Sequence, residues 1–238
     1  MEEADLSVPV DDLPGKDPSR IDGCHAGDLA LFSVLKEREL AGLEAPIEHL
    51  TLRKGDALYH PDVPATNVFV LHHGIVKLVH YARDGSERIV RLLRRGDVAG
   101  LESLVGRAHK HHAVALDPVV ACRIPAGIVN RLGRELPDFR QELMRHWHHA
   151  VVAADILLTE LATGRTRERI ARLLIHLAES EPDQTCRIPS RTEIASMLGV
   201  TTESISRNMA RFRREGMIRP FERKRVQVDI HALRAVAF

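Results

Sequence analysis

From about residue 47 to 125, apolar and polar residues alternate in short runs, and turn-forming pairs separate the runs. "HLTLRKGDALYHP" alternates and then turns at Gly55-Asp56. "NVFVLHHGIVKLVHYARDGSERIVRLLRRGD" holds three runs broken at His73-Gly74, Asp84-Gly85 and Gly96-Asp97. "HAVALDPVVACRIP" adds two more around Asp117-Pro118. Asp-Gly between alternating runs is a strong hairpin signal, and many short strands at regular spacing predict a β-sandwich or barrel.

At residue 137 the period changes from two to that of a helix. Residues 137–163 contain no internal Gly or Pro; Pro137 suits a first helical turn and Gly164 suits the end. Met144, Trp147, Val151, Ala154, Leu158 and Leu161 recur at spacings of three and four, the a/d stripe of a two-helix seam. A second apolar side, with Leu143, Ala150, Ile156 and Leu157, leaves room for the same helix to pack on its own β domain.

A second amphipathic helix follows over 166–179, with Ile170, Leu173, Leu174 and Leu177 inward. "ESEPDQTC" reads as a loop. In "SRTEIASMLGVTTESISRNMARFRREG", residues 190–216, Ser190 and Glu193 form a capping-box pair, Gly199 suits a left-handed turn, and Thr201 suits the cap of a second helix. Ile205, Met209 and Phe212 share the inner face of that helix; Glu203, Ser206, Arg207 and Arg211 share the outer one. Two short helices around a tight turn predict a helix-turn-helix. The strands of "GMIRPFERKRVQVDIHAL" add a wing whose basic residues include Arg219, Arg223, Lys224 and Arg225.

Charge sharpens this picture. The net charge is only +1, yet residues 165–238 hold 15 Lys+Arg against 9 Asp+Glu, while residues 1–164 hold 19 against 24. A basic C-terminal third beside an acidic remainder fits a polyanion-binding module attached to something else. No apolar run approaches the ~18 residues of a membrane span. The acidic, Pro-containing start is no signal peptide, and residues 1–20 read as a mobile tail. Three scattered cysteines, Cys24, Cys122 and Cys186, suggest a reducing cytoplasm and no disulfide framework.

The outer face of the second helix has a chemistry suited to double-stranded DNA. Arg207 can donate two hydrogen bonds to a guanine edge. Glu203, one turn earlier, can accept from a cytosine amino group and orient Arg207, and Ser206 can touch a base edge or a thymine methyl. Arg191, Thr202, Arg211, Arg223, Lys224 and Arg225 are candidates for phosphate contacts.

Strand-rich domain, long helix and winged helix, in that order, resemble the bacterial CRP/FNR transcription regulators over about residues 21–238. The likeness is carried by "GIVKLVHYARDGSERIVRLLRRGDVAGLESL", "LPDFRQELMRHW" and above all "MLGVTTESISRNMARFRREGMI". The resemblance implies an α+β fold: an N-terminal antiparallel β-roll of the cyclic-nucleotide-binding kind over 21–136, a dimerisation helix over 137–163 and a winged helix-turn-helix over 164–238. Glu203, Ser206 and Arg207 look like the FNR branch, which implies a homodimer on an inverted repeat close to TTGAT–N4–ATCAA. The loop "ARDGSER", residues 82–88, matches a surface with which members of the family touch RNA polymerase.

The signal is less plain. Cyclic-nucleotide-binding members use a Glu for the ribose and an Arg-Ser/Thr pair for the cyclic phosphate. Here Glu102 stands for the first, but His111-His112-Ala113 replace the pair, which leaves a buried phosphate without a bidentate cation. Binding of cAMP is therefore not expected. Oxygen-sensing members need four cluster cysteines, and Cys24 with Cys122 supply two, so no iron–sulfur cluster is expected. Other members bind haem to sense CO or NO, and Cys24 or His25 are candidate axial ligands.

Several of the 14 histidines are clustered, at His72-His73, His109-Lys110-His111-His112 and His146/His148/His149, but adjacent histidines in a strand point to opposite faces, and two on a helix leave a metal site incomplete. An apolar dimer stripe with no opposing charge suggests a standing dimer that needs no small effector. The competing class, an enzyme, has little support. His109 and His111 are similar to the HxH of cupin oxygenases, but "HAVALDP" lacks the Glu that those enzymes need, and no catalytic triad, P-loop or Rossmann pattern is present.

Overall fold

The computed structural model describes residues 30–36, 38–39, 47–83, 85–179, 183–222 and 225–238. Residues 1–20, read above as a tail, and the haem candidates Cys24 and His25 lie outside them. Eight strands come first: β1 (Glu48–Leu52), β2 (Ala57–Tyr59), β3 (Asn67–His73), β4 (Val76–Tyr81), β5 (Glu87–Leu93), β6 (Val98–Ala99), β7 (His112–Ala115) and β8 (Val119–Pro125). They form two four-stranded sheets, in the orders β1-β8-β3-β6 and β2-β7-β4-β5. Pairing is antiparallel wherever its register is resolved, as in Leu50 opposite Ala121 and Val70 opposite Cys122. The turns fall where Gly punctuates the alternation: Gly55, Gly74, Gly85 and Gly96 all have positive φ. At Gly74 more than φ is at stake, because a Cβ there would lie 2.3 Å from the Pro118 carbonyl oxygen.

Helices follow: α1 (Ala126–Glu135), α2 (Pro137–Ile156), a π-helical turn (Leu157–Leu161) and α3 (Thr166–Glu179). The winged part comprises β9 (Thr185–Arg187), α4 (Arg191–Leu198), α5 (Thr202–Arg214), β10 (Ile218–Pro220), β11 (Arg225–Val228) and α6 (Ile230–Ala237). The α+β class expected from the sequence is thus the one observed. Three elements were not foreseen. Helix α1 covers a stretch with no predicted element, β9 lies in what read as a loop, and α6 ends the chain as a full helix. Strand β9 is the third strand of the wing sheet, in the order β10-β11-β9.

Contacts divide the chain into two compact units. One holds the described residues up to Leu78 with Leu92–His148; the other holds Val79–Arg91 with His149–Phe238. The first unit's core joins Val68, Val70, Cys122 and Ile124 from the strands to Phe32, Val129, Phe139 and Leu143. Phe32 and Phe139 meet with ring centroids 5.6 Å apart. The start of α2 is therefore anchored by burial on its own β domain, as its second apolar side predicted. The core of the second unit is built from Ile170, Leu173 and Leu174 of α3, Ile194 of α4, Phe212 of α5 and Leu233 of α6, each 1% exposed or less.

Cys122 is half of a disulfide, which corrects the expectation that the cysteines form none. Cys186 is free and buried.

Candidate nucleic-acid interface

Helix α4 begins at Ser190 with the capping box the sequence predicts. The Ser190 hydroxyl accepts from the Glu193 N–H at 3.2 Å, and the Ser190 N–H donates to Glu193 Oε2 at 2.6 Å. The helix stops at Gly199, with φ 62°. Thr201 then caps α5 by accepting from the Ser204 N–H at 3.3 Å. Ile205, Met209 and Phe212 are buried, which fixes the rotation of α5 and turns the opposite face to solvent.

On that face Glu203 and Arg207 are exposed one turn apart. The Glu203 carboxyl is held below the usual range, first by its own backbone N–H at the helix start, then by the Thr202 and Thr201 hydroxyls and by the positive charge of Arg207. Thr202 Oγ1 donates to Glu203 Oε1 at 3.1 Å, so the carboxylate is oriented as well as ionised. Ser206 is half-buried, and its hydroxyl donates back to the Thr202 carbonyl at 2.8 Å; its lone pairs remain for a donor.

The basic residues divide. Arg191 is exposed at the start of α4 and lines a cavity of about 290 Å³ with Ser206, Ala210 and Arg213. Arg213 was not singled out from the sequence; its place on the rim of the outer face, two turns beyond Ser206, was the available signal. Arg211 is exposed and pairs with Glu215 at 2.7 Å, and Glu215 also meets Arg167 at 2.6 Å. Arg225 also has partners within its own chain. Its Nε donates to Thr185 Oγ1 at 2.9 Å and its Nη2 to the Thr185 carbonyl at 3.2 Å, so the guanidinium ties β11 to β9. Arg223 and Lys224 lie outside the described residues.

Two arginines of α3, also unpredicted, hold the helix ends in place. Arg169 donates to the carbonyls of Leu161, at 2.7 Å, and Leu198. Arg172 donates to the carbonyls of Ala237 at 3.0 Å, Glu160 at 2.5 Å and Thr163 at 2.9 Å. These are carbonyls at helix ends, which have no partner within their own helix. Burial, then the nearby charges of Arg88 and Arg172, lower the pKa of Arg169. The hairpin Val79–Arg91 joins the same unit: Ser196 Oγ donates to the Glu87 carbonyl at 2.5 Å, and a Cβ at Gly199 would lie 2.7 Å from the Arg88 guanidinium.

Along α2 and the π-helical turn, Met144, Val151 and Leu158 are 62%, 55% and 67% exposed, seven residues apart. Trp147 and Ala154 are half-buried, and Trp147 packs against the first unit's core. Leu161 departs from the expected stripe: it is buried within its own chain, where the π-helical turn rotates it inward.

A family model described as "Cyclic nucleotide-binding domain" matches residues 49–135, and one described as "Crp-like helix-turn-helix domain" matches residues 168–236. The chain thus carries, in that order, a cyclic-nucleotide-binding-type domain and a Crp-like helix-turn-helix domain. It is 27% identical over 221 residues to Electron transport regulator A of Shewanella oneidensis, covering 90% of this chain and 88% of that one. It is 26% identical to the Fumarate and nitrate reduction regulatory protein of Escherichia coli, covering 82% of this chain and 81% of that one. Among solved structures, FixK2 from Bradyrhizobium japonicum shares the fold with a TM-score of 0.73 at 21% identity, over 82% of this chain and 98% of that one. TTHB099 of Thermus thermophilus, a CRP-family regulator, has a TM-score of 0.65 at 26% identity, over 79% and 96%. These relatives are named as regulators. Among the described residues no helix is long and apolar enough to cross a membrane.

In the first unit, Glu102 occupies the 3-10 turn Leu101–Val105, which opens at Gly100 with φ 74°. Its Oε1 lies 2.6 Å from Nδ1 of His109, a residue 4% exposed. The His109 ring stacks on Tyr59 with centroids 3.8 Å apart and planes 12° from parallel. The carboxylate that the sequence offered to a ribose is thus bound by a histidine of its own domain, an arrangement the sequence did not reveal. His111-His112-Ala113 run into β7, and Ala113 is fully buried.

Proposed function

We propose that this chain is a DNA-binding transcription regulator of the CRP/FNR type, which works as a homodimer on an inverted repeat close to TTGAT–N4–ATCAA and reaches its DNA-competent form without a small effector. The observation that carries the reading is the exposed Glu203–Arg207 pair at the start of α5, with its carboxyl pKa lowered first by its own backbone N–H and its carboxylate oriented by Thr202. Arg207 reads the guanine of each half-site, Glu203 accepts from the paired cytosine, and Ser206 reads a neighbouring edge. Arg191, Thr202, Arg211 and the newly placed Arg213 contact phosphates, together with the wing residues Arg223 and Lys224.

The dimer reading is supported by the exposed heptad of Met144, Val151 and Leu158, flanked by Trp147 and Ala154. Independence from cAMP is supported by the Glu102–His109 contact, which competes with any ribose, and by the lack of an arginine at 111–113. Two cysteines, one of them in a disulfide, do not fit a four-thiolate cluster. Loop residues Ala82, Arg83, Gly85 and Ser86 are exposed and offer a surface to RNA polymerase in the cytoplasm.

Fluorescence anisotropy of the purified, ligand-free protein tests this. At fixed salt, a TTGAT–N4–ATCAA duplex should bind at least a hundredfold more tightly than a scrambled duplex. Equal weak binding to both would overturn either the half-site or effector independence, and haem reconstitution before the same titration separates those two.

A further inference from the structure

Beyond the Glu102–His109 contact, the neighbouring strands β2 and β7 bring two histidines together. Tyr59 of β2 lies opposite Ala113 of β7, so the antiparallel register sets His60 beside His112. Tyr59 and Ala113 are buried, and alternation along the strands turns His60 and His112 the other way; His60 is exposed and His112 half-exposed. Their Nδ1 atoms are 3.3 Å apart and their rings are nearly perpendicular, at 85°.

That separation fits a chelate. Two imidazole nitrogens at about 2.0–2.1 Å from a tetrahedral ion stand about 3.3–3.4 Å from each other. As a hydrogen bond, by contrast, 3.3 Å is beyond the usual N–H range of about 2.7–3.2 Å. We propose that His60 and His112 form a two-histidine site for a borderline divalent transition ion of the zinc or copper type, with water completing the coordination. In the tautomer that carries its proton on Nε2, each ring offers its Nδ1 lone pair to the ion. Among the described residues no group of three or more His, Cys, Asp or Glu is placed to hold a metal, so the site has two protein ligands and open positions.

The ion would brace a particular segment. The strand end at Tyr59–Asp62 already grips His109 twice: through the Tyr59 ring and through the Asp62 N–H, which donates to the His109 carbonyl at 3.0 Å. A metal joining His60 to His112 closes the same two segments on the outer side of the sheet. It therefore stabilises the arrangement that presents His109 to Glu102. Sequence spacing alone hides the pair, because its members are 52 residues apart.

The test uses full-length protein in chelator-free buffer. Calorimetric titration with zinc sulfate, and electron paramagnetic resonance with one equivalent of copper(II), are run on wild type, His60→Ala, His112→Ala and His60→Gln. The expected result is one site per chain, weakened at least tenfold in all three variants. The copper spectrum should show two nitrogen ligands in wild type and at most one in each variant. Circular dichroism confirms folding, and the wild-type spectrum decides the matter even where a variant is unstable. Wild-type copper without two equatorial nitrogens, or wild-type zinc affinity in His60→Ala and His112→Ala, would overturn the site.

Discussion

Replacing Leu158 with Glu should separate the proposed dimer while leaving each chain folded. Leu158 is 67% exposed in the single chain, so little of its side chain supports the monomer. Full burial of a leucine contributes about 1.5–3 kcal/mol, so covering the exposed two thirds contributes about 1–2 kcal/mol per chain. A two-fold seam uses the residue twice, which makes the loss about 2–4 kcal/mol, or a dimer weakened by roughly 30- to 1,000-fold. Two carboxylates facing each other across the axis add repulsion to that figure. The monomer, by contrast, should change by no more than about 0.5 kcal/mol. Trp147 is a poorer probe, because it packs against its own chain's core and a charge there would unfold the sensor domain. Sedimentation equilibrium over a range of concentrations measures the association, and urea denaturation of the dilute protein measures the monomer. A Leu158→Glu protein that dimerises as tightly as wild type would refute the seam.

Four further outcomes follow from the same structure. Calorimetry with cAMP should show no binding to wild type; a well-defined isotherm would contradict the view that His109 occupies Glu102. The Glu203 carboxyl should titrate below an ordinary exposed glutamate in carbon-detected NMR, and Thr202→Val should raise its midpoint. Because the folded pKa is the lower one, its contribution to stability is present above the unfolded glutamate range and is lost as pH falls through the folded value. Ser190→Ala should destabilise the C-terminal unit by about 1 kcal/mol through loss of the cap, read by denaturation. Gly199→Ala should cost about 1–2 kcal/mol, because an L-residue must then hold a left-handed conformation with its Cβ against Arg88.

The parts of the fold that were legible are those whose signal is local. Period-two alternation with Gly turns marks β3, β4 and β5, and the Ser190–Glu193 box and Gly199 bound α4 by short-range hydrogen bonding. Helix α1 escaped notice because "AGIVNRLGRE" carries two glycines and buries only Ala126, Val129 and Leu132. One of those glycines has a tertiary reason: a Cβ at Gly133 would meet Leu143 at 3.3 Å. Strand β9 has three residues and exists because β11 pairs with it. The candidate site divides the same way. Glu203 and Arg207 were legible because they share one helix face. The internal use of Arg225 depends on Thr185 across the sheet, and the capture of Glu102 by His109 depends on a non-local fold of two segments. Leu161 fitted the heptad, but it lies within a π-helical turn, which breaks the helical period.

The central claim is that Arg207 reads a base and does more than supply charge. Anisotropy with wild type and Arg207→Ala, each on the TTGAT–N4–ATCAA duplex and on one with the G·C pair of both half-sites replaced by A·T, tests it at a single salt concentration. The account predicts that wild type loses about 1–3 kcal/mol per replaced pair, whereas Arg207→Ala binds both duplexes alike, at the weaker level. Equal losses for Arg207→Ala on both duplexes, with the wild-type preference for G·C intact, would contradict it.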